Sequence, residues 1–407
     1  MHGSEASAAA QRRGHNTGLI IMLGAMSLFG PLAINMSLPG IVQTGLDLGA
    51  STAAIQTTMA AFMFGFAAGQ LVWGALADRW GRRMPVLLGL AIFFVTSALC
   101  AMAQSEEMLL WARLVQGFGA CSGIVLARAI VSDNFAGKDA AVIFSWQHLI
   151  MGTAPVIAPL LGGALLLVFS WRSVFWTLAG LVALTIPVLI ARLPESRSTE
   201  AAEHARSESR LAAYWAVVSN RRLLAHLLSS GLSASAVMIW YSASSPLFQE
   251  DFGWNARITS LVIGALGVTI ISATQINRRL LRYYAPRQII EGALLGGIAA
   301  SVIALLLTLA NAPGAPVIAT IGIVLGVSTY GMLSANNQAC ALELDRRRAG
   351  SVGALIGAAN YGIGGIFAWL VSRLPSMHGI TMLAMIASLF LAARFALWLN
   401  PKRSVSH

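Results

Sequence analysis

The chain alternates long apolar blocks with short polar breaks, and the blocks share a length. Runs at 18–43, 52–76, 84–104, 108–131, 141–168, 173–193, 223–248, 258–277, 288–310, 314–340, 351–372 and 378–399 each reach about the 20 residues that a helix needs to cross the hydrocarbon core of a bilayer. Twelve membrane-crossing helices are predicted. The run from 258 is the least regular, because Gln275, Asn277 and Arg278 close it early. One long hydrophilic interruption at 194–222, rich in charge, Ser and Ala, divides six runs from six. Each half carries an arginine-rich loop between its second and third runs, with Arg79, Arg82 and Arg83 in one and Arg278, Arg279, Arg282 and Arg287 in the other. That is the signature of a parallel internal repeat. The predicted architecture is an all-α membrane protein of two pseudo-symmetric six-helix bundles. It divides into an N-terminal tail at 1–17, a bundle at 18–193, a linker at 194–222, a second bundle at 223–399 and a tail at 400–407. Leu211 to Val218 in the linker is amphipathic, which suits either the membrane surface or a solvated tether.

Composition agrees with the pattern: 57% of residues are hydrophobic and only 11% are charged, too few charges for a soluble protein of this size. A net charge of +11 raises the possibility of a nucleic-acid partner, and the placement of the basic residues removes it. They concentrate in the loops and tails on one side of the predicted membrane, while the other side holds Arg113, Arg172, Arg257 and Arg373. The excess orients the chain with both termini in the cytoplasm. The first apolar run exceeds a signal-peptide core and has no clear small-residue cleavage site after it, so it is expected to be retained. Cys100, Cys121 and Cys340 lie in apolar runs without metal-ligand spacing and are expected to be small packing residues, neither bridged nor metal-bound. No ATP-binding loop, zinc motif or nucleophile triad is evident. Neither a cofactor nor an enzymatic activity is expected, and Gly119 and Gly123 suit helix packing better than a phosphate loop.

GALADRWGRR, residues 74–83, is the most informative stretch. Gly74 and Gly81 permit close helix approach and a tight turn, Asp78 can pair with arginines, and Arg79, Arg82 and Arg83 sit at the membrane surface. Such a cluster can latch one conformation and release in another. The stretch resembles the loop signature of the major facilitator superfamily of secondary transporters. RLVQGFGACSGIVLARAIVSD at 113–133 and MGTAPVIAPLLGG at 151–163 further resemble the fourth and fifth helices of its bicyclomycin and chloramphenicol resistance (Bcr/CflA) subfamily of drug efflux transporters. The resemblance covers most of 20–195 and fades afterwards. It implies a bacterial inner-membrane location, a small-molecule substrate, proton coupling and a monomer in the bilayer. It also associates Pro155, Pro159, Gly162 and Gly163 with export, although the same residues suit plain helix bending and close packing.

Arg113 lies roughly 10 Å into the membrane at 1.5 Å per residue, where an unpartnered arginine costs about 2.5–3.5 kcal/mol. Asn35 lies about as deep, so the two are expected to meet, with Gln116 on the same helical face as Arg113. The family pattern places an aspartate where Asn35 stands, and an amide cannot exchange a proton. The remaining proton-coupling candidates are Asp133 and Glu343, both near helix ends. Trp240, Tyr241 and Ser244 on the seventh helix, with Tyr330, Ser334 and Asn337 at i, i+4, i+7 on the tenth, are candidate cavity residues, because the first, fourth, seventh and tenth helices of this superfamily surround the substrate path. Asn360 and Tyr361 on the eleventh are weaker candidates. The expected function is secondary transport, as an efflux pump for drugs or small amphipathic natural products through proton antiport. The alternative is a facilitator, exchanger or symporter of a polar or anionic metabolite.

Overall fold

The computed structural model describes residues 2–135, 137–193, 195, 210–310, 312–374 and 379–398. The C-terminal tail at 400–407 and linker residues 194 and 196–209 lie outside the described residues. Those described fold into α1 (His2–Asn35), α2 (Ile41–Leu48), α3 (Thr52–Trp80), α4 (Arg83–Ala101), α5 (Glu106–Asn134), α6 (Gly137–Val168) and α7 (Arg172–Arg192). Then follow α8 (Arg210–Ser219), α9 (Arg221–Pro246), α10 (Ala256–Leu280), α11 (Pro286–Leu309), α12 (Ala315–Ser328), α13 (Tyr330–Leu344), α14 (Ala349–Ser372) and α15 (Gly379–Trp398). Among the described residues, 12 helical stretches are long and apolar enough to cross a membrane, in two pseudo-symmetric six-helix bundles. Two details depart from the expected pattern. The first helix begins at His2, so the polar residues before the apolar run extend it, and the tenth crossing is divided at Thr329 into α12 and α13.

Local chemistry sets the helix boundaries. The Ser51, Ser105 and Asn255 side chains accept from the backbone N–H three residues on, and Asn220 caps α9 by accepting from Arg222 and Leu223. Each cap satisfies a donor that the first helical turn leaves free. Gly49 and Gly81 end α2 and α3 with φ of 62° and 83°, a region that costs other residues strain.

Within the first bundle α3 and α5 touch backbone to backbone. A methyl group at Gly117 would fall inside the Phe62 carbonyl, and one at Gly65 inside the Leu114 carbonyl. Small residues in membrane helices allow this approach, and the dispersion gained replaces the hydrophobic drive that lipid does not provide. α6 runs unbroken through Pro155 and Pro159. Its adjacent glycines serve different neighbours: Gly162 lies on the Met36 backbone within the first bundle, and Gly163 on Ser260 of α10 in the second. Gly267 of α10 returns the contact, against the backbone of Pro155 and Val156. A second crossing joins α3 to α14, where the Phe66 and Tyr361 rings lie 4.2 Å apart.

The two ends of the molecule differ. At the end away from the arginine-rich loops, polar pairs tie the bundles together: Thr52 donates to Glu250 at 2.6 Å, Gln249 to the Pro39 carbonyl at 3.2 Å and Gln56 to the Ser242 carbonyl at 3.0 Å. The Thr57 and Ser372 hydroxyls meet at 3.0 Å. At the arginine-rich end the short helix α8 packs Ala213 and Val217 inward and leaves Leu211 and Trp215 exposed. Tyr214 donates to the Leu71 carbonyl at 3.1 Å.

Candidate functional site

The glycine–aspartate–arginine stretch builds a connected ion-pair cluster. Arg82 donates to Asp78 at 2.7 Å and, through its other edge, to both oxygens of Asp133 at 2.6 and 3.4 Å. Arg210 of α8 also pairs with Asp78 and lies over Gly74, where a side chain would meet its guanidinium. Glu195 accepts from the backbone N–H of Arg82 at 2.7 Å and of Arg83 at 3.3 Å, at the positive end of α4 where an anion is favoured. Gly81 is required there twice over: its φ is positive, and a methyl group would strike the Glu195 carboxylate. Arg83 reaches the Ile190 carbonyl, and Arg79 stands at the same end of α3. Asp133, a proton-coupling candidate by sequence, is thus the partner of a buried arginine. Glu343 is exposed in the last turn of α13.

Arg113 is buried, but it does not meet Asn35. Its guanidinium donates to the Ala33 carbonyl at 3.2 Å and to Gln116 at 2.8 Å, and lies 3.0 Å from the Met59 sulfur. The Phe62 ring covers it at 4.5 Å, and Phe175 lies at 5.6 Å. Cation–π contacts and carbonyl acceptors replace the carboxylate that a buried arginine otherwise seeks. Gln116 passes the chain on to Ser97 at 2.8 Å. Beside Arg113 is a cavity of ≈ 20 Å³ lined by Ser37, Thr44, Thr58, Met59 and Phe175 among others, room for about one water. The expected Arg113–Asn35 pair is therefore corrected. Equal depth on two helices does not fix which way each side chain turns, and Arg113 turns into its own bundle.

Asn35 turns toward the second bundle. Its amide donates back to the Pro31 carbonyl at 2.8 Å, its oxygen is buried without a partner among the described residues, and the Tyr241 hydroxyl lies beside it. Toward the arginine-rich end, Ser230, Asn360 and Tyr330 form a polar band, with the Asn360 amide 2.8 Å from the Ser230 hydroxyl and 3.4 Å from that of Tyr330. Ser334 adjoins Tyr330, and Asn337 meets His226 at 3.1 Å. Trp240 does not join this band. It is fully buried, edge-on to Phe248 at 5.6 Å, and Phe248 stacks on Trp254 at 5.2 Å. Adjacent helical residues point about 100° apart, so Tyr241 facing the space between bundles sends Trp240 into packing. Ser244 is likewise buried.

Arg128 went unrecognised in the sequence. It lies on α5, in electrostatic reach of Tyr330 and Tyr361 across the space between the bundles. Its charge inside a membrane segment was the available signal. Tyr361 lies against both Phe66 and this space.

The family model described as "Major Facilitator Superfamily" matches residues 17–369. An "Uncharacterized MFS-type transporter YdgK" of Bacillus subtilis is 30% identical over 377 residues, 92% of each chain. A "Bicyclomycin resistance protein homolog" of Haemophilus influenzae is 25% identical over 92% of this chain and 96% of its own. The partially occluded inward-open structure of the xylose transporter XylE from E. coli superposes with a TM-score of 0.73 at 13% identity, covering 97% of this chain and 99% of that one; this likeness shows the fold.

Proposed function

The chain belongs to the Major Facilitator Superfamily, and from that premise we propose that it exports small, partly aromatic, amphipathic solutes across a bacterial inner membrane in exchange for protons. The observation that carries this reading is the path between the bundles: Tyr241, Tyr330 and Tyr361 with the Ser230–Asn360 pair and the unpartnered oxygen of Asn35. Aromatic faces with scattered hydroxyl and amide groups bind solutes that are apolar over most of their surface and polar at a few points. The relative named for bicyclomycin resistance supports export of a drug-like compound. The excess of basic residues supports a cytoplasmic position for the arginine-rich end. The polar ties at the opposite end support loading from the arginine-rich side.

Among the described residues the path between Asn35 and Arg128 contains no carboxylate. Asp133 and Glu343, or the solute itself, are the proposed carriers of the proton. The test is flux in proteoliposomes of the intact protein, with bicyclomycin and a panel of aromatic amphipathic compounds, with and without an imposed pH gradient. Gradient-driven movement is expected, and absence of any solute flux from correctly folded protein overturns the reading. Asn35→Asp adds an ionisable group beside Tyr241 and is expected to steepen the pH dependence of flux. An unchanged profile would show that position 35 takes no part in coupling.

A further inference from the structure

We infer that Arg128 is a substrate-recognition residue and that the path selects anionic aromatic solutes, carboxylates or sulfonates, over their neutral counterparts; this rests on the export reading above. Three placements lead to it. Cys121 of α5 lies against Gly69 of α3, and Tyr361 of α14 lies against Phe66 one turn away on that same helix. Arg128 follows Cys121 by seven residues, two turns nearer the arginine-rich end on the same face of α5. From there it reaches the fields of Tyr330 and Tyr361, which belong to the other bundle, so its charge faces the space between the bundles.

Arg128 is half-buried, and no hydrogen bond or ion pair joins it to any side chain among the described residues. The other deep arginines are occupied: Arg82 by two carboxylates, Arg113 by Ala33 and Gln116. A guanidinium held in a membrane segment with its donors unclaimed is matched by a planar anion, which it can hold through two parallel hydrogen bonds. Tyr330 and Tyr361, in whose electrostatic reach Arg128 lies, offer further hydroxyl donors and aromatic faces to the same solute. The acceptor-only charge that would repel such a solute is absent from this stretch of the path among the described residues, since Asp133 is engaged by Arg82.

The test uses matched pairs that share a ring, such as benzoate with benzamide and a naphthalene sulfonate with its sulfonamide. Uptake into proteoliposomes and binding to nanodisc-embedded protein are measured for wild type, Arg128→Ala, Arg128→Lys and Arg257→Ala, an exposed arginine at the start of α10. Wild type is expected to favour the anionic member about tenfold, the effect of one well-placed charge-assisted contact. Arg128→Ala should collapse that ratio to near one, chiefly by losing the anion, Arg128→Lys should restore part of it, and Arg257→Ala should leave it as in wild type. If wild type moves both members equally, or if Arg128→Ala keeps the ratio while folding normally, the assignment of Arg128 fails and the export reading stands. If folded wild type neither binds nor moves any member, both fail together.

Discussion

Arg82→Ala is expected to lower the thermal stability of the purified protein by about 3 kcal/mol, the scale for removing one partner from a buried ion pair. The Arg82 side chain is 6% exposed and those of Asp78 and Asp133 are 13% and 10% exposed, so the substitution leaves two carboxylates facing each other with the cation between them gone. Arg210 compensates only at Asp78. The ordering of a mutant series follows: Arg82→Ala is the most damaging, Arg82→Lys recovers one contact of the two-sided grip, and Asp78→Asn costs least in stability because Arg82 keeps Asp133. Asp78→Asn should instead slow transport, since it releases both Arg210 and one edge of Arg82 and shifts the balance between conformations. Thermal unfolding monitored by size-exclusion chromatography gives the order. An Arg82→Ala protein as stable as wild type would show that the cluster is surface decoration.

Gly117→Ala is expected to destabilise by about 1–3 kcal/mol, the range for forcing extra volume into a packed interior, and to reduce the yield of folded protein. The new methyl group meets the Phe62 carbonyl, which is backbone and cannot swing aside. The sign is the informative part. In an open helix position, replacing Gly by Ala gains about 0.5–1 kcal/mol, and Gly292 and Gly296 of α11 have nothing within 4 Å of an added methyl. Alanine at either should be neutral or slightly stabilising, while alanine at 117 should be harmful. Equal behaviour of the three variants would mean that α3 and α5 are not held as closely as described.

What the sequence could reveal divides along a physical line. Twelve crossings, the bundle pair and the repeat are properties of hydrophobic length and charge placement, which each segment carries by itself, so they were legible. So was the chemistry of GALADRWGRR, whose Asp78 and Arg82 lie four residues apart across the turn at Gly81. The participation of Arg210 and Glu195 was not, because their contacts join segments far apart in the sequence. The same limit explains Arg113: its depth followed from counting, but its direction depends on how α1 and α5 are rotated about their axes, which no single helix records. Trp240 and Tyr241 show the limit at its narrowest. They are neighbours of similar chemistry, and only the packing of Phe248 and Trp254 separates the one that fills the protein from the one beside Asn35. Arg128 was legible in principle as a charge in an apolar run.

The crossing of α6 on α10 sets how the halves can travel. Where two helices meet through long side chains, the layer between them is compressible and one can slip along the other. Here Gly163 receives Ser260, and Gly267 receives the Pro155–Val156 backbone, so each helix carries a notch for the other and slipping means climbing out of it. Such a joint resists translation and yields to rotation, the behaviour of a fulcrum. For a beam turning on a fulcrum, raising one end lowers the other, so the mouth that opens and the mouth that shuts belong to a single degree of freedom. A joint of this kind would couple the two openings in opposite senses, which is what separates a carrier from a leak.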